Sequence, residues 1–179
     1  RTPVCAESMK RQAATAVATR AVRRLCFTNA WGHGVELTNP NRAYQLHLLG
    51  TLISSRCAAH LRSGCGHARV LDLGTGGGLA ARIVLNHMPP DSSILGVDSS
   101  RAMLDLLRDG ARPRERLTAL HVGFDDLERS RSALGLLPTK AGGTGQPFAC
   151  AMAVQSLHEV DDFKKRRVLS FTRGALAAE

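Results

Sequence analysis

Three glycines at alternate positions, Gly74, Gly76 and Gly78, follow an aspartate, Asp72. Twenty residues after the last of them stands a second aspartate, Asp98. These residue types at this spacing suit a nucleoside. Glycines let a chain turn without side-chain clash and let a ligand lie against the main chain. A carboxylate offers two acceptor oxygens, a match for a pair of ribose hydroxyls. Apolar runs lead into both sites: Val70 to Leu73 encloses Asp72, and Ile94-Leu-Gly-Val97 ends at Asp98. Nucleotide-type sites of α/β proteins are built this way, at the ends of neighbouring parallel strands.

At this level more than one cofactor stays open. Counted from Gly76, the pattern Gly-x-Gly-x-x-Ala runs through Ala81 and fits a dinucleotide fingerprint. Counted from Gly74, the sixth position is Leu79, a mismatch. The Gly76 frame leaves Gly74 and Thr75 as extra residues between strand and turn. The first strand also lies well inside the chain, whereas dinucleotide domains often open with it.

The elements that must position these residues alternate. Arg42 to Leu61 reads as a helix, with apolar Leu46, Leu49, Leu52 and Ile53. Strands are expected over Arg69–Leu73, Ile94–Val97, Leu117–Val122 and Phe148–Val154, and helices over Leu79–His87, Ser100–Asp109, Asp126–Leu134 and Asp161–Ala178. Leu136 to Pro147 is glycine- and proline-bearing loop. Such alternation implies an α/β fold, a doubly wound and mainly parallel sheet with helices on both faces. The last strand is apolar and the pattern ends on a helix. Its outer edge therefore calls for further C-terminal strands, or an oligomeric partner, to cover it.

Residues 1–41 divide from this core as a basic extension. Met9 to Leu25 is alanine-rich and reads as a helix that caps the domain. Its arginines and scarcity of acids also resemble a mitochondrial transit peptide. Phe27 to Asn41, with Trp31-Gly-His-Gly34, is loop chemistry; Trp31, His33 and Tyr44 are candidates for a lid over an acceptor, or for plain core packing.

The 179 residues suffice for one domain with a core, and a 44% apolar content separates the chain from disordered sequences. No apolar run is long enough for a membrane span. A net charge of +9 suits acidic partners, nucleic acid included, but few aromatics accompany it for base stacking. The five cysteines form no Cys-x-x-Cys, which points to a reducing, cytoplasmic setting. Cys57, His60, Cys65 and His67 are close in sequence, yet their spacing matches no common zinc pattern, and no metal is expected.

Three stretches taken together carry a resemblance. Asp72-Leu-Gly-Thr-Gly-Gly-Gly78, Gly96-Val-Asp-Ser-Ser-Arg-Ala-Met-Leu104 and Ala153-Val-Gln-Ser-Leu-His-Glu-Val160 resemble, in order and spacing, the class I S-adenosylmethionine-dependent methyltransferases. The similarity is greatest to the small-molecule branch that includes the ubiquinone- and menaquinone-type enzymes. It covers residues 42–178 and leaves the first 40 without a specific match. The resemblance implies S-adenosyl-L-methionine as cofactor, S-adenosyl-L-homocysteine as product and a small-molecule methyl acceptor. It implies that Gly74, Thr75, Gly76 and Gly78 hold the methionine part, that Asp72 organises their loop, and that Asp98 takes the ribose. Ser99 and Met103 would flank the adenine. Asp125 would meet the adenine amino group and Phe124 would pack on the ring, although Gly123-Phe-Asp-Asp-Leu127 is one residue shorter than common versions. Gln155, after the fourth strand and at the acceptor side, would also bind the cofactor. Ser156, His158 and Glu159 lie where the family meets its acceptor, and His158 is the candidate general base, with a reference pKa of about 6.5. RNA or protein as acceptor, or a non-catalytic methyltransferase-like subunit of a basic assembly, are the alternative expectations.

Overall fold

Along β1 (Ala68–Leu73) the side chains part alternately to two layers. Ala68 and Val70 join one apolar cluster, while Leu71 and Leu73 join another on the opposite face. The computed structural model describes residues 40–112, 115–137, 145–154, 156–157 and 160–177. In it β1 lies between β2 (Ser92–Asp98) and β4 (Cys150–Met152), with β3 (Leu117–His121) beyond β2, giving the order β3-β2-β1-β4. All three pairings are parallel. The sheet is thus the expected parallel one, and the carboxyl ends of β1, β2 and β3 come level: Leu73 is opposite Val97, and Asp98 opposite His121.

Helices cover both faces. On one face Ile53 and Cys57 of α1 (Pro40–Arg62), Ala81, Val84 and Leu85 of α2 (Leu79–Leu85) and Leu107 of α3 (Arg101–Asp109) pack on Val70 and Ile94. On the other, Val168, Phe171 and Ala175 of α4 (Asp162–Ala175) pack with Leu127, Leu134 and Phe148 on Leu71 and Val97. α1 starts at Pro40, a residue suited to the first helical turn, where the missing N–H has no partner to lose. Ser100 caps α3 by accepting from Met103 N–H, and Asp161 caps α4 by accepting from Lys164 N–H.

Three expectations need correction. The helix expected over Asp126–Leu134 is a 3-10 turn, Phe124–Asp126, followed by successive turns that Gly135 closes at φ +69°. Ser130, Ser132 and Gly135 favour turns over a continuous helix. The fourth strand is shorter than Phe148–Val154: it spans Cys150–Met152, and Phe148 forms an isolated parallel bridge with Leu176. The last helix ends at Ala175, not Ala178: Leu176 is extended, and a parallel bridge to Phe148 follows, with Phe148 N–H donating to Ala175 O and Ala177 N–H to Phe148 O, each 2.9 Å. The chain therefore returns to the sheet beside β4 after its last helix. The expected helix Met9–Leu25, with Trp31 and His33, lies outside the described residues. Tyr44 sits on α1, 63% exposed, and packs neither in the core nor over a site.

Arg82 of α2 ties this frame to the glycine turn. Its guanidinium forms a two-pronged pair with Glu115, Nε to Oε1 at 2.8 Å and Nη2 to Oε2 at 3.2 Å, and both side chains are over nine-tenths buried. It also donates to Gly77 O at 3.1 Å and Leu107 O at 2.8 Å. A buried ion pair adds little net stability over apolar packing, but loss of one partner strands the other. Glu115→Gln is expected to lower unfolding stability by about 3 kcal/mol in urea titrations.

Candidate functional site

The turn after β1 rises on positive backbone angles, φ +75° at Gly74 and +52° at Gly76, which L side chains seldom adopt. Gly74 N–H and Thr75 N–H both donate to Val97 O, at 2.8 and 3.0 Å, so the turn folds back over the end of β2. There Asp98 receives it. Asp98 Oδ2 accepts from Gly76 N–H and Oδ1 from Ser100 N–H, both at 2.8 Å. One carboxylate thereby joins the glycine turn to the start of α3.

Around this junction lies a cavity of about 530 Å³. Of the residues expected at the cofactor, Gly74, Gly76, Asp98, Ser99, Met103, Phe124 and Asp125 line it. Asp72, Thr75 and Gly78 do not. Thr75 is buried against Gly96, and Gly78 is the N-cap position of α2. Gln155 and His158 lie outside the described residues.

Asp72 is 2% exposed. Burial pushes its carboxyl up to about 7; Thr75 offsets part of the rise and the Asp98 charge adds to it. The Thr75 hydroxyl is near enough to act on Asp72, yet neither Asp72 Oδ1 nor Thr75 Oγ1 completes a hydrogen bond. Two buried polar atoms with spare capacity thus lie at residues that flank Gly74 within two positions in sequence.

The cavity is also lined by Ser100, Val122, Gly123, Val160 and Lys164, which the motifs did not single out as binding groups, and by Ser156, expected on the acceptor side. Val122 and Gly123 follow β3, so the rule that ligands meet the carboxyl ends of parallel strands was a usable signal for them. Ser156 donates to Leu73 O at 2.5 Å and seats itself over Gly74. Lys164 had no local signal. It reaches Asp125 Oδ2 at 2.8 Å, across 39 residues of sequence, and Arg167 stands 3.9 Å from Oδ1. The hydrogen bond from Lys164, aided by the neighbouring cations, holds the Asp125 carboxyl below its usual range, and Asp125 in turn raises Lys164.

The comparisons with solved structures agree with this arrangement. An O-methyltransferase from Bacillus cereus, solved with SAH, superposes with a TM-score of 0.57 at 14% identity, over 90% of this chain and 62% of its own. The fold is that of the S-adenosylmethionine-dependent methyltransferases. The O-methyltransferase TomG from Streptomyces achromogenes, solved with SAM, has a TM-score of 0.50 at 16% identity, over 75% of this chain and 52% of its own. An arsenic(III) S-adenosylmethionine methyltransferase from Chlamydomonas reinhardtii is 25% identical over 62% of this chain and 35% of its own, with a TM-score of 0.49. This chain therefore spans less than two thirds of each of these proteins. No protein-family model matches the sequence, nor does any curated protein. The glycine turn, Asp98 and the 3-10 turn meet at this cavity, at the carboxyl ends of β1, β2 and β3.

Two tests follow from this geometry. A Cβ on Gly74 would stand 2.3 Å from Ser156 Cβ, on a backbone already at positive φ. Gly74→Ala is expected to cost more than about 2 kcal/mol in unfolding stability, and Ser156→Gly to recover only part of it, since the backbone strain of about 1–2 kcal/mol persists. Asp72 binds its proton more tightly folded than unfolded. Its contribution to stability is complete below about pH 3.8 and is lost as pH rises through about 7. Unfolding titrations of Asp72→Asn between pH 4 and 7 are expected to lack that decline, whose slope is at most about 1.4 kcal/mol per pH unit.

Proposed function

We propose that this protein is an S-adenosylmethionine-dependent methyltransferase acting on a small-molecule acceptor. The cavity in which bare glycine backbone faces the Asp98 carboxylate carries this reading. The residues fit the cofactor. Met103 Cε lies 3.2 Å from where a Cβ on Gly76 would stand, so a flat ligand has access to backbone that a side chain would close. Each Asp98 oxygen accepts one N–H, and a carboxylate has about four lone-pair positions, so capacity remains for ribose hydroxyls. The volume falls within the range of about 300–1,000 Å³ common for small-ligand sites.

Gly74 and Gly76 would hold the methionine part, Asp98 the ribose, and Ser99, Met103, Phe124 and Asp125 the adenine end. When bound, S-adenosylmethionine supplies a methyl group already activated by its sulfonium. The work left to the chain is to align the acceptor and exclude water. Ser156 and Val160 border the cavity on the side of β4 and are suited to that task. A base is useful only where the acceptor has a proton to lose, and His158 is the residue proposed for it.

Charge pairing favours a small acceptor over nucleic acid. At the cavity Lys164 is paired with Asp125, and on the same two segments Arg129, Arg131 and Lys165 are paired with Asp126, Glu128 and Asp162. Phosphate backbones are bound by cations free to replace counterions. Residues 1–39 hold six of the 24 Lys and Arg residues against two acids, which is +4 of the net +9.

Titration calorimetry tests the reading. Wild type is expected to bind S-adenosylmethionine, and Asp98→Ala to bind about 10- to 100-fold more weakly with its melting behaviour as control. A folded wild type that binds no S-adenosylmethionine overturns the cofactor assignment. RNA binding that falls steeply with salt overturns the acceptor class.

A further inference from the structure

Two residues that line the cavity, Asp125 and Lys164, are paired with each other. The partners are anchored unequally. Asp125 sits on a three-residue 3-10 turn, and its side chain is 55% exposed. Lys164 sits in the first turn of α4, where its N–H donates to Asp161 Oδ1 at 2.8 Å and the next N–H, of Lys165, donates to Asp161 O at 2.9 Å. Val168 and Phe171, one and two turns further along α4, are buried in the cluster that includes Leu71 and Val97. The ammonium thus projects from a fixed base, and the carboxylate takes its place from the ammonium.

The pair occupies one carboxylate oxygen and spares the other. Lys164 Nζ donates to Oδ2 at 2.8 Å. Arg167 Nη1 stands 3.9 Å from Oδ1, beyond hydrogen-bond length. Oδ1 therefore keeps lone pairs for a ligand that enters the cavity beside Ser99, Met103 and Phe124. An ionised carboxylate only accepts, whereas a protonated one also donates. The hydrogen bond from Lys164, with the charges of Arg167 and Arg129 nearby, holds the Asp125 carboxyl below its usual range, so at neutral pH it is an acceptor.

An acceptor fixed at this place discriminates between purine bases. In an adenine joined to ribose, the exocyclic amino group is the N–H donor of the base. Hypoxanthine has a carbonyl oxygen at the same position. A carboxylate attracts the first and repels the second. We propose that Lys164 is a positioning residue for base selection: it turns Asp125 so that Oδ1 accepts the amino group of adenine, which makes the cavity selective for adenosyl over inosyl ligands. The inference rests on S-adenosylmethionine being the occupant of the cavity. An exposed ion pair of this kind adds little to stability, so its contribution is geometric.

Calorimetry with two ligands tests it: S-adenosyl-L-homocysteine, and its inosine analogue, in which a carbonyl replaces the amino group. Wild type is expected to prefer the adenosyl compound about 10- to 100-fold, the size of one hydrogen bond to a charged group. Lys164→Met keeps the reach of the side chain without its charge and is expected to cut that preference about tenfold, with a melting temperature near that of wild type. Lys164→Arg should restore most of the preference. A Lys164→Met variant that weakens both ligands equally, or neither, overturns the proposal and leaves the cofactor assignment standing. So does a wild type that binds the two ligands equally well. A folded wild type that binds neither overturns the cofactor assignment, and the proposal with it.

Discussion

Two backbone N–H groups from different parts of the chain converge on one carboxylate, and the site depends on that convergence. Gly76 and Ser100 are joined through Asp98. Without an acceptor at this place the glycine turn would leave a donor unmet beside the cavity, and α3 would lose the anchor of its cap. Because Asp98 ends β2, the register of β1 with β2 sets where the acceptor stands, and the parallel order of the sheet sets which turn it meets.

Beneath the turn the physical problem is reversed. Asp72, Thr75, Arg82 and Glu115 are polar groups in a buried layer. Arg82 and Glu115 satisfy one another and two backbone carbonyls, so they brace the turn from below. Asp72 and Thr75 are left with unspent hydrogen-bonding capacity, and burial favours the neutral carboxyl. A rigid clamp on one side and an incompletely satisfied pair on the other is the arrangement expected where strain and polarity are retained for a ligand and not for stability.

The far wall of the cavity is assembled differently. The 3-10 turn after β3 is held to α4 by Asp125 and Lys164, exposed groups whose ion pair adds little to stability but aligns two elements distant in sequence. Ser156, over Gly74, brings the segment after β4 to the same place. One wall is thus local chain geometry and the other is long-range pairing.

The first wall was legible in the sequence. Glycines at alternate positions, an aspartate at each strand end and apolar runs of strand length leave few other ways to fold, because only glycine accepts the turn and only a buried run makes a central parallel strand. The sheet, its helices and the residues Gly74, Gly76 and Asp98 followed from that, whereas Ser99 and Met103 came from the family resemblance. Tertiary structure alone decided the rest. Lys164 meets Asp125, and Phe148 pairs with Leu176 instead of extending β4, because the packing of α4 against Leu71 and Val97 brings those segments together. Local periodicity reports which face of an element is apolar; it has no term for which distant element covers that face, and that contact completes the cavity.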